Sequence, residues 1–115
     1  MNQFKIIHPD DVTPILLRNG DIVSRRLVTK KKDGSANMSF HVNVIKGGVP
    51  RTDDVVYPDQ DEINYMIKGK GVIICNGERH PVSEGMIWNI PAGQRYGLEN
   101  DDEVVIISVF SPPRE

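Results

Sequence analysis

The stretch Gly85-Met86-Ile87-Trp88-Asn89-Ile90-Pro91-Ala92-Gly93-Gln94-Arg95-Tyr96-Gly97-Leu98-Glu99-Asn100 decides the fold. A glycine opens a short β-type run, Met86–Ile90, which breaks at Pro91-Ala92-Gly93. Proline there fixes φ, and glycine supplies the positive φ that a tight turn requires. Outward from it, turn signals recur at Asn19-Gly20-Asp21, Lys32-Asp33-Gly34, Lys46-Gly47-Gly48, Lys68-Gly69-Lys70-Gly71 and Asn76-Gly77-Glu78. The runs between them are Asp21–Thr29, Ser39–Ile45, Glu62–Ile67, Gly71–Cys75 and Val104–Phe110. Short runs closed by turns at this spacing predict an all-β sandwich or barrel, with at most a helical turn around Asp10–Leu17. Lys30-Lys31-Lys32 with Asp33-Gly34 reads as a solvated hairpin end.

Side-chain alternation predicts which residues share a face. Ser39, His41 and Asn43 oppose Phe40, Val42 and Val44, as suits a strand lining a wet cavity. Glu62, Asn64 and Met66 oppose Ile63, Tyr65 and Ile67 in the same way. Val104 to Ile107 is apolar on both faces, so both need cover, and a homodimer partner is expected to supply one.

The 115 residues suit one domain that buries roughly two-thirds of its unfolded surface. Residues 1–35 are expected to form an N-terminal arm and the first strands, and residues 36–115 the barrel core. The 14 basic and 16 acidic residues give a net charge of −2 without a concentrated basic face, which argues against nucleic acid as a partner. Cys75, the single cysteine, excludes an internal disulfide and a cysteine-based zinc site; within Val72-Ile73-Ile74-Cys75 it reads as a packed thiol. The first residues carry no apolar segment of membrane-spanning or signal-peptide length, so a cytoplasmic protein with no membrane partner is expected.

Gly85, five residues, Pro91-Ala92-Gly93, two residues, Tyr96, three residues and Asn100 resemble the second signature of the cupin superfamily, with Tyr96 where that family has a metal-binding histidine. Glu62, six residues and Gly69 resemble the first signature, with Val55 and Tyr57 where its paired histidines stand. The resemblance covers roughly residues 40 to 110. It implies a single-domain cupin jelly-roll β-barrel whose lumen holds the site.

Within that superfamily the chain is similar to the ectoine synthases, which are cyclising hydro-lyases. The matching stretches are Ser24-Arg25-Arg26-Leu27, Ser39-Phe40-His41-Val42, Gly47-Gly48, Tyr57 with Glu62, and Val109-Phe110-Ser111-Pro112-Pro113. The resemblance implies that Glu62 matches a metal-binding glutamate, Arg26 and Tyr57 substrate-pocket residues, and Phe110 a pocket-wall aromatic. Trp88 stands where that family has a metal-binding tyrosine, and Tyr96 where it has a histidine. A weaker resemblance to 3-hydroxyanthranilate dioxygenase, on Gly47-Gly48, Arg51-Thr52-Asp53, Asp61-Glu62 and Pro91-Ala92, implies a substrate-binding role for Arg51.

The candidate site is therefore Glu62, His41, Tyr57 and Tyr96 as catalytic groups and Arg26, Asn43, Asn64, Trp88 and Phe110 as substrate-binding ones. Glu62 in a lumen lined by Met66, Trp88 and Phe110 has a raised pKa suited to proton transfer; alternatively it is an edge acid paired with Arg26 or Lys68. His41 is either a general acid or base near neutral pH or a filler hydrogen-bonded to Asn43 or Asn64. Tyr57 and Tyr96 polarise a carbonyl or line the wall, Arg26 anchors a carboxylate, and Trp88 stacks on a ligand or packs. His8, near the terminus, and His80, on a loop, read as surface residues. The expected cofactor is none, or one weakly bound divalent metal at Glu62, His41 and Tyr96, because phenols titrate near pH 10 and one imidazole makes a poor site. The expected function is an isomerase, cyclase or lyase using acid–base chemistry on a small molecule. The alternatives are a non-catalytic cupin binding a sugar or organic acid, and a metal-dependent, dioxygenase-like cupin with atypical ligands.

Overall fold

The computed structural model describes residues 3–49 and 55–114, so Arg51, Thr52 and Asp53 lie outside the described residues. Among the described residues nine strands form two antiparallel sheets: β1 Ile15–Leu17, β2 Ile22–Val28, β3 Ser39–Ile45, β4 Asp61–Lys68, β5 Lys70–Cys75, β6 Glu78–Ser83, β7 Ile87–Ile90, β8 Tyr96–Glu99 and β9 Val104–Ser111. Six make one sheet in the order β1-β2-β3-β9-β4-β7, and three the other in the order β6-β5-β8. No helix among the described residues is long and apolar enough to cross a membrane.

The two turns of the opening stretch shape this barrel. Gln94 donates its backbone N–H to Pro91 O at 3.1 Å with Gly93 at φ 84°, the geometry of a type II turn. At the far end, Asn100 Nδ2 donates to Asp102 O at 2.8 Å and Lys46 O at 3.2 Å, tying the approach to β9 to the end of β3. Gly47 sits under this knot. A Cβ there would lie 2.3 Å from Asp101 O, so only glycine admits the crossing.

The interior divides along the strands. At one end Ile45, Met66, Ile73, Val82, Ile90, Leu98, Val104 and Ile106 from both sheets form the apolar core. Towards the other end the inward positions turn polar: Ser39, His41, Glu62, Asn64 and Ser108 are all buried. Met66, expected in the lumen wall, is wholly buried in the core instead and does not line the cavity. The outward face of the larger sheet is apolar and open, with Ile63, Tyr65, Ile67 and Ile87 each exposed.

Three local expectations are corrected. Lys30–Asp33 is a one-turn helix, α1, and not a hairpin end: Thr29 Oγ1 caps Lys32 N at 3.0 Å, and Gly34 closes it at φ 74°. The Asp10–Leu17 region is a 3₁₀ turn at Pro9–Asp11 followed by β1. His80 lies on β6 and not on a loop, although it is exposed as expected. Asn76-Gly77 makes the β5–β6 turn, with φ 53° and 74° matching the left-handed pair that two-residue hairpins favour.

Candidate active site

Strand register sets out the lumen as a grid. Ser39, Phe110, Glu62 and Ile90 lie side by side across β3, β9, β4 and β7, and the next inward row is His41, Ser108, Asn64 and Trp88. Asn43 follows beside Ile106, with Ser24 its neighbour on β2. Polar side chains recur because each strand carries them at every second position, so the alternation read from β3 and β4 holds across the sheet. A cavity of about 320 Å³ opens onto this grid, within the range of small-molecule sites.

Glu62 is 3 % exposed and accepts a hydrogen bond of 2.8 Å from the Tyr96 hydroxyl, which arrives from β8 in the facing sheet. Burial pushes the Glu62 carboxyl above its ordinary value, against the Tyr96 hydroxyl, the adjacent Asn64 amide and the Arg114 charge, which pull it down. The Tyr96 phenol is driven well up by burial and by the carboxylate it faces, so it stays protonated. The partner of Glu62 is therefore Tyr96, not Arg26 or Lys68; Lys68 lies 3.9 Å from Glu103 at the surface.

Behind the pair runs a chain of hydrogen bonds. Asn43 Nδ2 donates to Ser108 Oγ at 3.0 Å, and Ser108 Oγ donates to Asn64 Oδ1 at 2.6 Å. With its oxygen committed, the Asn64 amide turns Nδ2 away from Ser108. Asn64 Nδ2 and Trp88 Nε1 are buried donors that close no hydrogen bond among the described residues, as expected of groups that await a ligand acceptor.

Beside Glu62, around Phe110, the cavity wall is aromatic and cationic. His41 meets the Phe110 ring edge-on at 5.1 Å, and Tyr57 meets it at 4.9 Å. Tyr57 is held by its backbone, since Gly93 N donates to Tyr57 O at 2.9 Å and Val55 bridges Tyr96 on β8. The Arg114 guanidinium lies 4.7 Å from the Tyr57 ring centroid and 5.2 Å from that of Phe110, and its Nη1 donates to Tyr57 Oη at 3.3 Å. Burial raises the Tyr57 pKa, with Arg114 opposing it.

Burial, then the charges of Arg114 and Arg26, lower His41 to about 4, which leaves a neutral imidazole at pH 7. Its Nε2 lies 2.9 Å from Ser39 Oγ, so the hydrogen-bond partner is Ser39, neither Asn43 nor Asn64. Arg26 pairs across from His41 in register but does not line the cavity; it borders an outer groove with Lys5 and Asp33. The structure thus brings Glu62, Tyr96, Tyr57, His41, Asn43, Asn64, Trp88 and Phe110 onto one cavity and leaves Arg26 beside it. Sequence reasoning missed Ser108 and Arg114. Ser108 was visible as the polar interruption of an apolar inward row, whereas nothing local marked Arg114.

The sequence model of the family described as ectoine synthase matches residues 11–115. This chain belongs to the ectoine synthase family. The match extends well beyond the roughly 40 to 110 on which the resemblance was read. An L-ectoine synthase of Halalkalibacterium halodurans is 31% identical over 119 residues, covering 95% of this chain and 84% of that protein. The crystal structure of ectoine synthase from P. lautus superposes with a TM-score of 0.84 at 26% identity, over 96% of this chain and 80% of that one. An RmlC-like cupin from Shewanella frigidimarina, with a TM-score of 0.80 at 15% identity over 100% of this chain and 97% of that one, shares the cupin fold. The chain is thus a small cupin of the ectoine synthase family, with the cyclase or lyase type of enzyme as its relatives' character. No group of three or more His, Cys, Asp or Glu side chains lies together among the described residues.

Proposed function

We propose that this chain is an acid–base cyclase or lyase whose proton carrier is Glu62. The observation that carries the reading is a carboxyl 3 % exposed that accepts its hydrogen bond from a neutral phenol, Tyr96. Burial raises the pKa of this acid above the ordinary carboxylate value, the direction that general acid–base catalysis needs. Tyr57 Oη, on the same cavity, donates to a substrate oxygen, and His41 stays neutral as a hydrogen-bonding wall.

A divalent metal does not fit the residues present. A protonated phenol already donating to the carboxylate, an indole that offers only an N–H, and one neutral imidazole tied to Ser39 make a poor donor set. The reading therefore routes no step through a metal.

The test is formation or consumption of L-ectoine, the compound for which the relatives are named, by the wild type and by Glu62→Gln. Loss of turnover by about 10²- to 10⁴-fold with substrate affinity retained supports the reading. A wild type that binds without turning over leaves the second reading, a non-catalytic binder of a sugar or organic acid, which Asn64 Nδ2 and Trp88 Nε1 favour because any bound oxygen would satisfy them.

The proposal includes a homodimer, supported by the open apolar row Ile63, Tyr65, Ile67 and Ile87 on the outer face of the larger sheet. Tyr65→Glu is expected to halve the mass read by light scattering; an unchanged mass removes this face as the interface. A cytoplasmic location is part of the same reading, since the unpaired Cys75 suits a reducing compartment.

A further inference from the structure

We infer that Asn64 and Trp88 form an oxyanion hole in this cavity, receiving the oxygen on which negative charge collects as Glu62 takes a proton from the substrate. The inference deepens the acid–base reading of Glu62 and rests on it. Its geometry begins with an ordered relay of hydrogen bonds. Asn43 Nδ2 donates to Ser108 Oγ at 3.0 Å, so the one hydroxyl hydrogen goes on to Asn64 Oδ1 at 2.6 Å. The Asn64 amide is thereby held one way round, its oxygen to Ser108 and its nitrogen towards Glu62, two positions earlier on the same face of β4. The reverse orientation would set the amide oxygen beside the carboxylate. Trp88 stands directly across from Asn64 in the β4–β7 register, where facing side chains are about 5 Å apart at Cβ, and both residues line the cavity.

Two N–H groups so placed suit a developing oxyanion. Asn64 Nδ2 lies close enough to Glu62 and Tyr96 to lower the pKa of both, yet neither it nor Trp88 Nε1 closes a hydrogen bond among the described residues. Buried donors are normally paired, and these two are also shielded from water, so an oxygen arriving between them meets fixed dipoles in a medium that screens little. The proton and electron balance then names the substrate class. When Glu62, as the carboxylate, removes the proton of a C–H or N–H bond beside a carbonyl, the electron pair of that bond becomes a new double bond to the carbonyl carbon. The carbonyl π pair moves onto oxygen, which takes up the negative charge that Glu62 gives up. Asn64 and Trp88 donate to that oxygen, and the substrate is a small carbonyl compound with an ionisable hydrogen beside the carbonyl.

The probe is 4-nitrophenol, whose phenolate oxygen stands for the oxyanion and whose ionisation is read by its visible absorbance, titrated into Glu62→Gln so that no carboxylate competes. The phenolate is expected to bind about tenfold or more tightly than the neutral phenol, which lowers the pKa of the bound probe by roughly one unit. Trp88→Phe and Asn64→Leu, each added to Glu62→Gln, remove most of that preference. An unchanged preference in either folded double variant would belong to the Arg114 side of the wall and overturns the inference. Trp88 is the single tryptophan, so one indole N–H resonance reports on its hydrogen bond directly. It moves downfield as the phenolate binds; a stationary resonance, or no binding at about 10 mM, also overturns the inference. Where the double variants do not fold, that resonance in Glu62→Gln decides alone. In turnover, Trp88→Phe and Asn64→Leu each lose roughly 10²- to 10³-fold in kcat with KM little changed, and a change confined to KM overturns the catalytic role. Retained turnover in Glu62→Gln removes the acid–base reading and leaves the probe result standing, so the two failures are told apart.

Discussion

Asp33 and Glu62 are the two buried carboxylates among the described residues, and their surroundings treat them in opposite ways. Asp33, at the end of α1, accepts the Thr29 backbone N–H at 2.9 Å and Lys32 Nζ at 2.7 Å, and pairs with Lys5 from the N-terminal arm. Burial alone would raise its pKa, but Lys32, Lys5 and the backbone donor together hold it at about 2. Glu62 receives one phenolic hydrogen bond, and burial wins. A carboxylate that fastens the fold is surrounded until its charge is secure. One that must trade its proton is left short of partners, and the fold carries the cost.

The largest test of this contrast is Glu62→Gln. Beyond the loss of turnover given above, the amide removes a charge the interior disfavours. A carboxyl with a raised folded pKa contributes stability below its unfolded value, near 4.5, and loses it as pH rises through the folded value. Thermal melts are therefore expected to show Glu62→Gln as stable as the wild type or more so at pH 8; a clear destabilisation would make Glu62 a second Asp33.

Asp33→Asn is expected to do the reverse, leaving turnover intact and costing roughly 2 kcal/mol of stability at pH 7, read by denaturant unfolding. The sign follows from the depressed pKa. The stabilisation is complete above the unfolded value near 3.8 and disappears as pH falls through about 2, so variant and wild type should converge at the acid end of that window. Parallel curves across it would remove the Lys5 and Lys32 pairings from the account.

Smaller still is Tyr96→Phe, which deletes one hydrogen bond worth about 1 kcal/mol and lets the Glu62 pKa climb further. The acid–base limb of the pH–rate profile assigned to Glu62 should move to higher pH. A stationary limb would mean that Tyr96 fills space and does not tune the acid.

Much of this was legible in the residues. The period-two rows of Ser39–Ile45 and Glu62–Ile67 placed His41, Asn43, Glu62 and Asn64 on the lumen, and glycine turns marked most strand ends. Where charge and proline interrupted the pattern, as at Arg79-His80-Pro81 in β6, an edge strand read as a loop, because an edge can dispense with one N–H. Partners were harder to read than positions. His41 bonds to Ser39, two residues away on the same face, and Arg114 reaches Tyr57 across 57 residues of sequence, a contact set by how a tail folds and not by any local pattern. The Lys30–Asp33 turn misled because a cap such as Thr29 signals a helix only when its acceptor role is considered with Gly34 beyond it.

The place of β9 has a consequence in time. It lies between β3 and β4, so the larger sheet remains two separate pieces until Val104–Ser111 has been made. On a ribosome adding roughly 5–20 residues per second, the edges of β3 and β4 wait for several seconds with their inward polar and outward apolar rows uncovered. The larger sheet is joined only by β9, and the lumen it walls cannot form before that strand has been made.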